Sequence, residues 1–92
     1  PRVRRMLRWF SRETDKLVGE EPLRDVRLRD LRGLFDHGDD EQMVFCYEVT
    51  ESQRPDIQKH VQHRIDLSRH QYFIEADALS VSPAIATQRQ AG

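Results

Sequence analysis

The sequence predicts an α+β domain, a small four-stranded antiparallel sheet with a short helix packed on one face. Three observations lead to this fold class. Four short apolar segments have the composition of strands, a segment with helical spacing lies between the second and the third, and 92 residues suffice for only one thin core. We expect a single domain over residues 6–78, with a basic arm at 1–5 before it and a flexible tail at 79–92 after it.

The first two strands are predicted to form a hairpin. Residues 6–10 are apolar and aromatic apart from one arginine, and the polar residues 11–15 that follow are suited to a turn. Residues 16–20 give the second strand. Pro22 should end it, because proline has no N–H to donate to a sheet.

The helix is predicted in the segment that follows the hairpin. Apolar side chains recur there at steps of three and four, at Leu28, Leu31, Leu34 and Phe35. Asp25 is a suitable N-cap, and Gly33 weakens the last turn. Since a helix of about two to three turns is too short to be stable alone, we expect it to dock on the sheet, followed by an acidic loop at 37–41.

The clearest strand pattern runs over residues 43–49, which we expect to form a central strand. Bulky side chains alternate there with smaller or polar ones. The bulky set, predicted to face the core, is Met43, Phe45, Tyr47 and Val49, and the set on the opposite face is Val44, Cys46 and Glu48. Residues 51–62, which include Pro55, indicate a turn or short helix, and residues 72–76 give the last strand.

The net charge of the chain is small, but the charges are segregated along it. Fifteen Lys and Arg against sixteen Asp and Glu give −1, which fits neither a strongly basic nucleic-acid binder nor a strongly acidic mimic. Residues 1–12 hold five arginines and no acid, whereas residues 36–51 hold six acids and no Lys or Arg. The sequence therefore predicts an acidic patch that is available to a basic partner.

The cysteine count and the apolar runs indicate the compartment. A single cysteine, Cys46, cannot form an intrachain disulfide, so we expect a reducing compartment, the cytoplasm. No apolar run approaches the ~18 residues of a membrane-spanning helix, and no apolar stretch of the signal-peptide kind follows the basic start. We expect no membrane association.

The residues do not form a pattern typical of catalysis or metal binding. His60 and His63 are three apart, but zinc needs three or four ligands and Cys46 lies on a separate strand. A mid-strand position offers no helix N-terminus to lower the pKa of the Cys46 thiol. The adjacent loop acids at 39–41 do not supply the two separated pKa values of an acid–base pair. We expect no enzyme, no metal and no cofactor.

The arginine-rich arm keeps a second hypothesis open, an RNA-binding module that contacts phosphates. Arg8 lies inside the first predicted strand, however, so only part of the arm is free. The sequence has neither an RNP-type stacking motif nor a glycine-rich phosphate loop, and nucleic acid is therefore the weaker expectation. A third hypothesis is an adaptor or scaffold domain of the same fold in an unrelated pathway.

Four segments, taken in order, resemble one protein family. They are WFSRET at 9–14 with GEE at 19–21, CYEV at 46–49, HRIDLS at 63–68 and YFI at 72–74. Together they are similar to the cloacin and ribonuclease-type colicin immunity proteins, over about residues 9–75. The resemblance implies a fold of the immunity-protein type and a non-catalytic inhibitor. Such a protein binds the basic nuclease domain of a cognate bacteriocin toxin.

The resemblance also implies which residues contact the partner. The family's specificity position falls on Cys46, and its acidic contact surface would involve Glu20, Glu21 and Glu48. The loop acids nearby are Asp39, Asp40 and Glu41. We expect the sheet face that displays Cys46 and Glu48 to be the binding face. The chain departs from the family in being almost neutral rather than strongly acidic, so electrostatic steering toward a basic toxin is weaker. The oligomeric state is left open.

Overall fold

The computed structural model describes residues 3–78, and the start of the predicted arm and the predicted tail at 79–92 lie outside them. The elements in chain order are β1 (Val3–Ser11), β2 (Leu17–Pro22), α1 (Leu28–Arg32), β3 (Tyr47–Val49), α2 (Arg54–Gln58) and β4 (His70–Ala78). The strands form one antiparallel sheet in the order β2-β1-β4-β3. This confirms the predicted α+β class, with two short helices rather than one.

Strand β1 begins three residues earlier than predicted, so most of the expected basic arm belongs to the sheet. Val3 pairs with Ala78, and the pairing with β4 continues without a break to Ser11. The Arg5 guanidinium donates to the backbone carbonyls of Met43 and Gln42, which fixes this end of the strand. The hydrophobic pattern could not predict this extension, because residues 3–5 are held in the sheet by backbone pairing and arginine hydrogen bonds rather than by apolar burial.

The hairpin between β1 and β2 forms as predicted, one or two residues displaced. The Ser11 hydroxyl accepts N–H bonds from Glu13 and Thr14, which closes the turn. Pro22 is the last residue of β2, as predicted, and lies opposite Met6.

Helix α1 is shorter than predicted, and its N-cap lies two residues after the expected one. Its N-cap is Arg27, whose backbone N–H donates to the Asp30 carboxylate at 3.0 Å. Asp25 has a positive φ of 57° and lies outside the helix. The helix buries Leu31, and Phe35 packs in the core just beyond the helix end.

The predicted central strand over 43–49 is wrong in extent, position and in one core residue. Only Tyr47–Val49 pairs with β4, and it forms a sheet edge. Met43 is buried, but its φ of 49° interrupts the extended backbone. Phe45 is 68% exposed. The cause is the Asp40 carboxylate, which accepts the Val44 and Phe45 N–H groups and takes them away from the sheet.

The hydrophobic core lies on one side of the sheet. The strands contribute Leu7, Trp9, Val49, Tyr72 and Ile74, which alternate onto the same face in the observed register. The helices and loops cover them with Leu31, Phe35, Met43, Ile57, Val61 and Ile65. The core cluster contains no side chain of the opposite face, where Met6 is the buried apolar residue among those described. The described part of the chain therefore packs as two layers, with no helix over that sheet face.

Candidate protein-binding face

The uncovered sheet face, here called the open face, is defined by the strand register. Directly paired residues share a face, so the positions that alternate with Leu7 and Trp9 lie together. They are Arg4, Met6, Arg8 and Phe10 of β1, Leu17, Glu20 and Pro22 of β2, Glu48 of β3, and Gln71, Phe73, Glu75 and Asp77 of β4. Two predicted site residues, Glu20 and Glu48, are among them.

Arg8 is the centre of a charge network on the open face. Its Nε donates to Glu20 at 2.7 Å, one Nη donates to Glu75 at 2.8 Å, and both Nη groups contact the Asp77 carboxylate at 2.9 and 2.6 Å. Hydrogen bonding to Asp77, then to Glu20 and Glu75, raises the pKa of Arg8. One guanidinium faces three carboxylates, so the network keeps two negative charges.

The charge balance of the whole open face is also negative. Glu48 adds a fourth carboxylate, which is exposed and accepts a hydrogen bond from the Gln71 amide at 3.4 Å. Arg4 adds a second guanidinium near Asp77. Four carboxylates against two arginines leave −2 on a surface formed by four strands, which attracts positive charge.

Cys46 lies at the border of the open face, just before β3 rather than within a central strand as predicted. Its thiol is exposed and donates to the Glu75 carboxylate at 3.6 Å. Desolvation, reinforced by the charges of Glu75 and Glu48, raises the pKa of the Cys46 thiol to about 11. At neutral pH the thiol is therefore protonated and uncharged, which makes it weakly nucleophilic.

An aromatic pair supplies apolar surface next to Cys46. The rings of Phe10 and Phe73 meet edge to face, with centroids 5.8 Å apart. Both are half-buried, and with Cys46 and Glu75 they line an open cavity of about 290 Å³. Such a combination of apolar centre and charged surroundings is typical of a protein interface.

Glu21 does not share this face, contrary to the prediction from the family resemblance. It pairs with Leu7 and lies on the covered side, where its carboxylate accepts the N–H groups of Gln62 and His63 at 2.7 and 2.9 Å. Burial raises the pKa of Glu21, but these two hydrogen bonds outweigh it and the net pKa is lowered. Adjacent residues on a strand point to opposite faces, so Glu20 and Glu21 could not both contact one partner there.

The loop acids lie in the segment between α1 and β3 and not on the strands that form the open face. Asp40 holds the loop after α1, accepting the Tyr47 hydroxyl at 2.6 Å in addition to the two backbone N–H groups. These bonds overcome the desolvation that opposes them and lower the pKa of Asp40. Glu41 lies 3.7 Å from Arg32, and Asp39 is exposed. Asp40 is thus a structural residue.

The sequence pattern does not predict several residues of the open face. Glu75 lies within the predicted last strand and Asp77 just beyond it, and the sequence pattern assigns neither of them to the binding face, nor Phe10 or Phe73. The alternation over 43–49 predicts Phe45 in the core, but its ring is exposed next to Cys46. Hydrogen bonds with Asp40 and Arg5 hold the loop that carries it. The signal that could have found Glu75 and Asp77 is the continued alternation of acids after Phe73.

The arginines proposed for RNA contact are largely engaged within the fold. Arg5 binds backbone carbonyls, Arg8 binds carboxylates, and Arg12 donates to the Leu67 carbonyl through Nε and Nη2 at 3.0 and 2.8 Å. Of the arginines within residues 3–12, only Arg4 has a side chain without a hydrogen-bond partner in the described structure. The described part of the arm therefore offers little free positive charge to a phosphate chain.

The two histidines considered as possible zinc ligands, His60 and His63, have separate contacts. His60 Nδ1 lies 2.8 Å from the Arg24 carbonyl, whereas the His63 ring stacks on Trp9 at 3.9 Å and its Nε2 lies 2.7 Å from the Tyr72 hydroxyl. Among residues 3–78, no three His, Cys, Asp or Glu side chains converge as metal ligands would. In the same range no helix has the length and apolar character needed to cross a membrane.

Comparison with known proteins places the chain in a family. No curated protein matches it. Residues 4–75 match a family described as a domain of unknown function, DUF7683. The match covers 72 of the 92 residues and includes all four strands nearly to their ends. The chain therefore belongs to the DUF7683 family.

Proposed function

We propose that the chain is a non-catalytic protein-binding domain that inhibits a basic nuclease toxin by covering it with the open face. The observation that carries the proposal is an uncovered sheet face with a net negative charge and an apolar centre. A one-sided sheet presents a flat surface of four strands, which is the kind of surface a protein partner can cover. The negative charge selects a partner that is positive.

The charges on the face would act mainly on the rate and specificity of association. Glu20, Glu75 and Asp77 contact Arg8, and together with Glu48 and Arg4 they leave two net negative charges on the face, which would attract a basic partner over about a Debye length of 8–10 Å at physiological salt. Most of the affinity would come instead from side chains that become fully desolvated.

The apolar contacts are placed where such desolvation is expected. Phe10 and Phe73 lie between the acids, and Cys46 lies at their edge. Phe45 adds an exposed ring whose backbone is already fixed by Asp40. Aromatic side chains presented on a fixed backbone lose little entropy on binding, which makes them suitable anchors.

The choice of a nuclease toxin as partner rests on the sequence resemblance. Of the contact residues that the resemblance implies, Cys46, Glu20 and Glu48 lie on or beside the open face, while Glu21 and Asp40 have structural hydrogen bonds elsewhere. A partner that contacts the face would therefore meet fewer acids than the resemblance alone implies. This agrees with the nearly neutral composition of the chain.

A parallel affinity capture tests this proposal. Three baits are used on extract from the native host: the wild type, Glu48→Lys on the open face, and Asp39→Lys as a matched control outside it. Both substitutions reverse one exposed charge. We expect a basic protein that binds the wild type and Asp39→Lys but is lost from Glu48→Lys. A capture profile that is the same for all three baits contradicts a role for the face.

The captured protein then allows the inhibitory function itself to be measured. The proposal predicts that it degrades RNA or DNA and that one equivalent of the wild-type chain stops the degradation. Glu48→Lys should require a larger excess, and Asp39→Lys should behave as the wild type. If the captured protein has no nuclease activity, the role of the open face in binding would stand, but the toxin-inhibitor function would be overturned in favour of an adaptor domain.

A further inference from the structure

A second concave site lies on the other side of the sheet from the open face. It is a cavity of about 300 Å³ between the loop at 63–69 and the first residues of β4. Tyr72, which lines it, belongs to the core-facing set of side chains. A partner on the open face would therefore leave this cavity free, and its ligand is a separate question from the proposed toxin inhibition.

The side chains around the cavity are mainly cationic. Arg64 and Arg69 line it, are exposed, and have no hydrogen bond or ion pair with any other side chain of residues 3–78. The single acid in the lining is Asp66, whose Oδ1 already accepts the backbone N–H and the hydroxyl of Ser68 at 3.1 and 2.6 Å. Two arginines against one carboxylate leave a positive charge at the mouth of the cavity.

An imidazole in the lining lacks a partner. His70 lines the cavity, and its Nδ1 is buried without a hydrogen-bond partner in the described structure. Because this atom has almost no accessible surface, a ligand oxygen could bond it only if the imidazole ring turned toward the cavity, and the donors available to an anion are therefore the two arginines.

The walls of the cavity are fixed before any ligand arrives. The Tyr72 hydroxyl accepts the Asp66 N–H at 3.0 Å and lies 2.7 Å from His63 Nε2. The His63 ring is stacked on Trp9, and Arg12 holds the Leu67 carbonyl from outside. A site that is already ordered pays less entropy on binding than a mobile loop.

We propose that this cavity binds a phosphate group. The planar guanidinium groups of Arg64 and Arg69 match the oxygens of phosphate through pairs of N–H donors, which favours this anion over a monovalent one. The same chemistry is offered by a small phosphorylated molecule and by the backbone of RNA. Asp66 contributes the one opposing charge, which its bonds to Ser68 hold against the loop.

The test is a titration of the full chain followed by two-dimensional NMR and calorimetry. Three probes are used: inorganic phosphate, adenosine 5′-monophosphate and a single-stranded RNA of ten nucleotides, with sulfate-free buffer at physiological salt. We expect saturable shifts confined to the amides of residues 63–72 and to the His70 imidazole. The Arg64→Gln/Arg69→Gln double variant should weaken binding at least tenfold.

A matched variant separates a specific site from general electrostatic attraction. Arg24→Gln/Arg29→Gln removes the same charge from two other exposed positions and should leave the affinity within twofold of the wild type. If the mononucleotide binds saturably and the RNA does not, the natural ligand of the cavity is a small phosphorylated molecule. If the RNA binds much more tightly than the mononucleotide, the ligand is a nucleic-acid backbone. The proposal is overturned if no probe binds below about 10 mM. It is also overturned if both double variants weaken binding equally.

Discussion

At the scale of single residues, Cys46 and Phe45 are neighbours whose properties have different causes. The Cys46 thiol is exposed, yet it lies against the Glu75 carboxylate and near that of Glu48. Phe45 is apolar, yet it is exposed because Asp40 takes its backbone N–H away from the sheet. Both are available to a partner, and neither availability follows from residue type alone.

The first prediction concerns the reactivity of Cys46. Its pKa of about 11 keeps the thiol protonated at pH 8, so alkylation by iodoacetamide should be about a hundredfold slower than that of an unperturbed thiol with pKa near 8.5. The rate should rise as pH approaches 11. Glu75→Gln removes an adjacent negative charge, and should lower the pKa and speed the reaction. A rate profile with its midpoint near pH 8.5 in the wild type would contradict this assignment.

The second prediction concerns the stability contribution of Phe45. Because the ring is 68% exposed, Phe45→Ala should change the free energy of unfolding by less than about 1 kcal/mol. Ile74→Ala, a fully buried position of β4, is the comparison and should cost about 2–5 kcal/mol. Urea unfolding measures both values. Similar losses for the two variants would return Phe45 to the core.

At the scale of the elements, the sheet combines two short edge strands with two long central ones. Strands β1 and β4 pair over nine residues, while β3 contributes only three and β2 six. The contacts that adjust this sheet are local. A glycine makes room for Trp9 on one face, and Arg8 joins three carboxylates on the other.

The third prediction concerns the close contact of Gly19 with Trp9. A Cβ at Gly19 would lie 2.5 Å from the indole ring, which is itself stacked on His63 and cannot withdraw freely. Gly19→Ala should therefore destabilise the protein by about 1–3 kcal/mol. Gly33→Ala is the control, since the nearest atom to its Cβ is 3.6 Å away and its φ of −76° suits alanine. Equal unfolding midpoints for the two variants would refute the steric argument.

The fourth prediction concerns the Arg8 network and its dependence on pH. In the wild type Arg8 lowers the pKa of Asp77, so its contribution to stability is present above the ordinary carboxyl pKa and is lost as pH falls through the lowered one. Arg8→Gln leaves three carboxylates without their cation, and should cost about 1–2 kcal/mol at pH 7 after allowance for solvent screening.

Acid should relieve the defect of the Arg8→Gln variant. Because Arg8 lowers the pKa of Asp77, the difference in unfolding free energy between variant and wild type should hold from pH 7 down to the ordinary carboxyl pKa and shrink as the pH falls below it, through the lowered pKa of Asp77. Arg4→Gln, an exposed arginine of the same strand, should show a much smaller change. A difference that does not vary with pH would show that Arg8 acts by packing alone.

At the scale of the whole molecule, the fold class can be predicted from the sequence more completely than the set of residues that forms the open face. Hydrophobic period and turn residues predict the number and chain order of the four strands and the hairpin, because these depend on local patterns. They were not enough for the loop before Tyr47, where the Asp40 carboxylate redirects the backbone. The candidate face was predicted through Cys46 and Glu48, but Glu75 and Asp77 required the register of β4 against β1.

The most direct test of the central claim uses the single cysteine of the chain, which lies at the border of the open face. The rate of Cys46 alkylation by N-ethylmaleimide is measured for the free protein and for its complex with the captured partner, at one pH and with the partner saturating. An Asp39→Cys/Cys46→Ser variant places the reporter outside the face as a control. We predict that the complex slows alkylation of Cys46 at least tenfold and leaves the rate at position 39 within twofold. Alkylation of Cys46 at the same rate in the free and saturated states would contradict the claim that the partner covers this face.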